Sequence, residues 1–235
     1  MTAINFGFKG GQGCAVRVMC ALLLFKSTLL LAQGKAEILF DPDKPQEWYT
    51  YTEKDGKNSD SLHVFSFENS KTIHVSGQRF GYIITNKSYR DFHLIVEFKW
   101  GDKRWPPRDT VKRDAGILYN IPDGTADRVW PKGIEFQIQQ GDCGDFWMVD
   151  STTITHADSV TTPTDYRRAQ KFRDAEKPKG EWNIAEVRIK NGEITHIMNG
   201  VVVNKGKNPS STEGKILLQS EGAEIYYRNI TVKRL

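Results

Sequence analysis

Phe92-His93-Leu94-Ile95-Val96-Glu97-Phe98-Lys99-Trp100 changes character at almost every step. In an extended chain successive side chains point to opposite faces, so this segment predicts a strand. Phe92, Leu94, Val96, Phe98 and Trp100 then share a core face, and His93, Ile95, Glu97 and Lys99 take the other. Shorter runs of the same kind flank it at 62–67, 82–85, 115–119, 134–139, 183–189, 194–198, 201–203, 215–219 and 224–232. Turn pairs separate them: Asp55-Gly56, Asp123-Gly124, Asn191-Gly192, Asn199-Gly200 and Glu221-Gly222. Two of these, Asn191-Gly192 and Asn199-Gly200, lie between alternating runs and predict two tight hairpins in succession. No segment carries a long 3.6-residue apolar period with caps at both ends. Many short strands without crossover helices predict an all-β fold, an antiparallel β-sandwich or jelly roll, with 37–235 as one domain.

The 235 residues are 38% hydrophobic and 11% aromatic, with six Trp, enough apolar surface to bury a core and too much for a disordered chain. Lys and Arg number 33 against 29 Asp and Glu, a formal charge of +4. Three of the basic residues, Lys9, Arg17 and Lys26, fall in residues 1–32, which hold no acidic residue. Without them the rest of the chain is nearly neutral and has no basic cluster for phosphate contacts, which argues against a nucleic-acid partner. The leader itself reads as a signal peptide: a basic stretch ending at Arg17, an apolar run from Val18 to Leu31 interrupted by Lys26, then Ala32 as the cleavage point. Those 14 residues are short of the roughly 20 needed to span a bilayer, so export to periplasm or medium is expected and a membrane span is not. Cys14 and Cys20 would leave with the leader, and Cys143 would remain alone, without an intrachain disulfide.

Lys132 to Asp142 carries the densest chemical pattern. On a strand, Ile134, Phe136 and Ile138 face a core while Glu135, Gln137 and Gln139 form a polar row. One carboxylate and two amides suit a surface that hydrogen-bonds sugar hydroxyls; an ordinary solvated face is the competing reading. Asp142 and Asp145 follow between glycines, able to turn the chain, bind a cation or meet a ligand. The spacing of a dedicated calcium loop is absent, so a divalent metal is left open with no ligands assigned and no other cofactor is expected. Trp147, Tyr119 and Trp130 offer flat faces for a sugar ring, or core packing. His63, His74, His93, His156 and His196 show no zinc-binding spacing, and no Gly-x-Ser-x-Gly elbow or phosphate loop occurs. Residues 101–114 and 156–180 read as long polar connections; with Trp105 inside it, the first fits an ordered loop beside a groove as well as a solvent-facing linker.

Several segments recur in a known order: Gly133 to Gln139, Gly180-Glu181-Trp182-Asn183, Met198-Asn199-Gly200, Leu218-Gln219 and Tyr227-Arg228-Asn229-Ile230. With Asp91-Phe92 leading into Val96-Glu97, and Asp114-Ala115-Gly116-Ile117, they resemble the 3-keto-disaccharide hydrolase family over nearly all of 37–235. The resemblance implies a concanavalin A-like jelly roll, export, and cleavage of oxidised glycosides. Members usually carry Asn-Ser-Gly where this chain has Asp114-Ala115-Gly116, which adds a charge to the implied site.

Laminarinase-type glucanases of the wider jelly-roll class have Glu-x-Asp-x-Glu on their catalytic strand. The corresponding row here is Glu135, Gln137 and Gln139, and two amides cannot act as nucleophile or acid, which disfavours ordinary retaining hydrolysis. A ketone at sugar C3 changes the requirement, because it acidifies the C2 proton and lets one base drive elimination of the C1 substituent. Glu135 is the first candidate for that base, with Glu97 or His93 as substitutes. Gln137, Gln139, Gln219, Arg228, Asp114, Asp142 and Asp145 are candidate ligands for hydroxyls or the enolate, and Arg228 reads equally as a salt-bridge partner of Glu135 or Glu97. The expected partner is a saccharide. A carbohydrate-binding module of the same fold, or a scaffold domain, is the rival.

Overall fold

The computed structural model describes residues 35–235 except Ser70, together with Ala3, Asn5, Gly7 and Gly10. Contacts divide the chain into units spanning 1–32 and 33–235, and every element below belongs to the second. The expected leader's apolar run, its cleavage point, Cys14 and Cys20 lie outside the described residues. In chain order the strands are β1 (Glu37–Ile38), β2 (Trp48–Thr52), β3 (Gly56–Lys57), β4 (Phe65–Glu68), β5 (Thr72–Val75), β6 (Gly81–Thr85), β7 (Tyr89–Arg90), β8 (Phe92–Arg104), β9 (Gly116–Ile121), β10 (Gly133–Gln137), β11 (Phe146–Val149), β12 (Thr155–His156), β13 (Ser159–Val160), β14 (Tyr166–Ala169), β15 (Asn183–Lys190), β16 (Glu193–Met198), β17 (Val201–Lys207), β18 (Glu213–Ser220) and β19 (Ala223–Arg234). They form two antiparallel sheets. The ten-stranded sheet runs β13-β12-β17-β16-β15-β8-β19-β5-β4 with β1 on β19; the nine-stranded sheet runs β14-β11-β10-β9-β18-β6-β2-β3 with β7 on β18.

The alternation read at 92–100 is the alternation of burial: Phe92, Leu94, Val96, Phe98 and Trp100 are buried and the residues between them are half-buried. Their face packs against Ile117 and Tyr119 of β9 and Ile134 and Phe136 of β10, in one core that fills the space between the sheets. Phe92 and Tyr119 meet edge to face across it at 6.3 Å. The two predicted hairpins form, joining β15 to β16 and β16 to β17. Asn191 and Gly192 (φ +52° and +77°) and Asn199 and Gly200 (φ +51° and +79°) supply the paired left-handed conformations that tight hairpins need.

Several strands formed outside the runs read from the sequence, among them β2, β5, β11, β13 and β14. β14 lies inside 156–180, read as a connection; three of its four residues are exposed, so an edge strand had no apolar face to reveal it. β11 follows the Asp142–Asp145 turn with no alternation, because its sequence Phe-Trp-Met-Val is covered on both faces. The outer side of the nine-stranded sheet holds its own apolar cluster of Tyr49, Tyr82, Ile84, Leu118, Ile121, Val149 and Leu217, with Tyr51 and Trp130 against it. Asp127, in the connection from β9 to β10, accepts hydrogen bonds of 2.7 Å from the hydroxyls of both Tyr49 and Tyr82. That connection therefore lies over the cluster and sets Trp130 at its margin. Among the described residues no helix is long and apolar enough to cross a membrane.

Candidate active site

Strand β10 lies between β9 and β11 and sends Ile134 and Phe136 into the core, so Glu135 and Gln137 face away from the other sheet. They are nonetheless only 6% and 7% exposed. Register sets Glu135 beside Leu118 on one side and Trp147 on the other, and Gln137 beside Gly116. Gly116 is what gives these side chains room. A Cβ there would lie 1.9 Å from Glu135 Oε1 and 2.4 Å from Gln219 Oε1, so the glutamate and the fully buried Gln219 converge over a bare stretch of β9.

Next to them, with neither Glu135 nor Gln219 in its wall, opens a cleft of about 390 Å³ lined by Arg108, Asp114, Trp130, Gln137, Gln139, Trp147, Tyr166 and Glu221. Its size suits a small ligand. One wall is the ordered loop 105–114; residues 101–104, expected to be part of that connection, instead extend β8. Trp105 donates from its backbone to Gly222 O at 2.8 Å and from its indole to Ser76 O at 2.9 Å, and Arg108 N donates to Trp105 O at 2.8 Å. Arg108 so fixed sets its guanidinium 2.8 Å from Asp114 Oδ2 and 3.9 Å from Glu221 Oε2. Gln139 Nε2 donates to the same Asp114 oxygen at 2.7 Å. Glu221 follows the end of β18, and its Oε1 accepts from the Trp130 indole N–H. Trp130 and Tyr166 meet edge to face at 5.9 Å and complete an aromatic side.

Three carboxyls, Glu135, Glu221 and Asp114, thus share a buried region with one guanidinium, Arg108. Burial pushes Glu135 well above the ordinary carboxylate range, and the charges of Glu221 and Asp114 push it further against the pull of Arg108. Burial, then Asp114, holds Glu221 up at about 7. Burial also raises Asp114, while Arg108 and Gln139 draw it back. The three acids titrate as an interacting group, each held above the ordinary carboxylate range. Asp114 Oδ1, Gln137 Oε1 and both amide atoms of Gln219 are buried without a hydrogen-bond partner. Buried polar atoms left unpaired are costly; those of Asp114 and Gln137 belong to residues of the cleft wall, where a polyhydroxylated ligand would satisfy them.

The structure assembles Glu135, Gln137, Gln139, Asp114, Gln219, Trp130 and Trp147 at this place and separates Glu97, His93, Arg228, Tyr119, Asp142 and Asp145 from it. Glu97 and His93 lie on the outer face of the ten-stranded sheet, across the core, where Glu97 accepts from Arg228 Nε at 2.7 Å and His93 pairs with Glu186 at 2.7 Å. Groups there cannot stand in for Glu135 at one sugar ring, and Arg228 pairs with Glu97 rather than reaching the cleft. Tyr119 points into the core, where its hydroxyl meets His196 Nε2 at 2.8 Å, so it offers no stacking face. Asp142 and Asp145 tie their turn to β14: Arg168 Nε reaches Asp145 at 2.6 Å, Lys171 N donates to Asp145 at 2.7 Å, and Lys112 and Arg168 engage Asp142 at 2.7 and 3.0 Å. Among the described residues no group of three or more His, Cys, Asp or Glu side chains is arranged to hold a metal ion. Sequence reading passed over Arg108, Glu221 and Tyr166. Glu221 was visible only as half of a Glu-Gly turn, and Arg108 only as part of a long ordered loop.

A model of the 3-keto-alpha-glucoside-1,2-lyase-like domain matches residues 35–233. The chain belongs to that family. Members of this 3-keto-glycoside lyase-like family share a carbohydrate-active, glycosyl hydrolase-like fold, and solved structures agree on the architecture. A candidate glycosyl hydrolase from Parabacteroides distasonis is 19% identical, covers 86% of this chain and 100% of its own, and superposes with a TM-score of 0.56. LamA from Zobellia galactanivorans, solved with laminaritriose and laminaritetraose, is 9% identical over 86% of this chain and 98% of its own, with a TM-score of 0.55. The Bacillus licheniformis beta-glucanase is 10% identical over 87% and 99%, with a TM-score of 0.52. At these identities the likeness establishes the fold, a jelly-roll sandwich. No curated protein matches the chain.

Proposed function

We propose that this protein cleaves 3-keto-glycosides by elimination followed by hydration, with Glu135 as the base. A carbonyl at C3 acidifies H2. Glu135 takes that proton, the electron pair passes through C2 into the C3 enolate, and its return expels the C1 oxygen and leaves a C1=C2 double bond conjugated to the ketone. Water then adds, hydroxyl to C1 and proton to C2, to give the free keto sugar. The observation that carries this reading is Glu135 itself: a carboxylate 6% exposed, over Gly116, among amides that lack partners. In so dry a setting its ionised form is a stronger base than an exposed glutamate. The enolate needs donors, which Arg108 and the amide groups of Gln137 and Gln219 can supply. Arg108 takes the part for which Arg228 was a candidate. Export through the 1–32 segment belongs to the same proposal and is supported by that segment's composition alone.

Trp130, Trp147 and Tyr166 along the cleft favour a second reading, a binding module without catalysis. Incubation with a 3-keto-glucoside separates the two. Aglycone release by the wild type, lowered by about 100-fold or more in Glu135→Gln, is the expected result. The kcat/KM of the wild type should rise with pH through a midpoint above the usual carboxylate range, since the base must lose its proton. Equal rates in both proteins would remove Glu135 as base. Tight binding of unoxidised glycans with no release from any keto sugar would select the module.

A further inference from the structure

The elimination leaves one requirement open, the proton for the departing oxygen. An alkoxide is a poor leaving group, and a second sugar leaves as one. In an α-glucoside chair, H2 and O1 are both axial and point to opposite faces of the ring. The base that takes H2 therefore cannot hand a proton to O1, and a second group must stand on the other side. We propose that Glu221 is that donor, protonating O1 as the C1–O1 bond breaks, so that the site accepts glycosides whose leaving group is a sugar or simple alcohol. This rests on the elimination reading above.

The geometry supports it at several points. Glu221 lines the cleft and is 4% exposed, and its charge acts on Glu135, two residues along β10 from the cleft-lining Gln137. The strand that leads to Glu221, β18, is separated from β10 by β9, a lateral spacing of about 9 to 10 Å, so the two acids come from different strands of one sheet. The Trp130 indole N–H donates to Glu221 Oε1. An indole N–H can only donate, so the bond fixes Oε1 as acceptor and leaves Oε2 to carry the acidic proton. When that proton passes to O1, the bond's electron pair goes to the oxygen, an alcohol departs and a carboxylate remains. Arg108 Nη2, 3.9 Å from Oε2, offsets the new charge. Asp114 fits the part less well, because one of its oxygens already accepts from both Arg108 and Gln139, the arrangement of an ionised carboxylate. With its acid held up at about 7 by burial and by Asp114, Glu221 keeps a large protonated fraction at neutral pH.

The test compares leaving groups. Wild type and Glu221→Gln are assayed on the p-nitrophenyl and methyl 3-keto-α-glucosides; Gln keeps an oxygen for the Trp130 N–H but has no acidic proton. Nitrophenolate leaves without help and methoxide does not. The expected result is a loss of about 100-fold or more on the methyl glycoside and less than about 10-fold on the nitrophenyl one. Trp130→Phe gives a second readout: without the indole bond to the carboxylate, the pH at which methyl-glycoside cleavage declines should move upward. Equal losses on both substrates in Glu221→Gln, or an unmoved decline in Trp130→Phe, would overturn the donor role while leaving the elimination intact. Failure of the wild type on both substrates would overturn the elimination reading, and the donor role with it.

Discussion

His196 shows how one residue couples the fold to pH. It is fully buried between Phe136 and Phe146, with ring centroids 4.4 and 4.0 Å away. Its Nδ1 lies 3.0 Å from Gly144 O, and a carbonyl can only accept, so Nδ1 carries the hydrogen and Nε2 accepts from Tyr119. Burial lowers its pKa from 6.5 to about 3, the bond to Gly144 opposing weakly. The unfolded chain therefore takes up a proton in a range where the native protein does not. The stability this contributes is complete above pH 6.5 and is lost as pH falls from there toward about 3. In urea titrations His196→Gln, whose amide can serve both partners, should show a smaller fall in unfolding free energy between those limits than the wild type. An equal fall would locate the acid sensitivity elsewhere. Nothing in the sequence distinguished His196 from the other four histidines, because its ring partners come from 60 and 50 residues away. Glu135 differs: its alternation with Ile134 and Phe136 put it on the opposite face by geometry alone.

Among the elements, β9 shows why a strand beside the site departs from simple alternation. All six of its residues are buried, since one face meets the core and the other lies under the 122–132 connection and the cleft groups. Gly116 opens that strand, and its missing side chain is occupied by Glu135 and Gln219. The atoms a new Cβ would strike are ends of side chains, not backbone, so Gly116→Ala should fold, at a cost of about 1–3 kcal/mol. Displacing Glu135 by an ångström or more should lower aglycone release by about 100-fold. Chemical denaturation and the keto-glycoside assay measure the two effects; full activity in Gly116→Ala would show that Glu135 is not held where chemistry occurs. β14 makes the complementary point. An exposed edge strand of Tyr-Arg-Arg-Ala carries no periodic signal, yet it delivers Tyr166 to the aromatic side of the cleft.

At the scale of the whole molecule, the two sheets have unlike outer faces. The nine-stranded sheet buries Glu135 and Gln137 beneath loops, whereas the ten-stranded sheet turns Glu97 and Arg228 to solvent, with Arg228 3.8 Å above the ring of Trp182. A half-exposed ion pair is worth at most about 1 kcal/mol, so Glu97→Gln should shift urea stability by no more than that and leave aglycone release unchanged. A large loss of release would mean that the outer face of the ten-stranded sheet belongs to the site. The sequence by itself determined the antiparallel sandwich, the hairpins and the sided polar row, since each rests on period-2 geometry or turn chemistry acting over a few residues; Gln219 came from the family resemblance. Only the tertiary structure decided which polar row faces a cleft, and which acids and which arginine meet there. Arg108, Glu135 and Glu221 are brought together by the 105–114 loop, by strand order and by the turn after β18. Each strand presents its outward residues alike in sequence, and only the loops folded over one sheet distinguish a buried carboxylate from a solvated one.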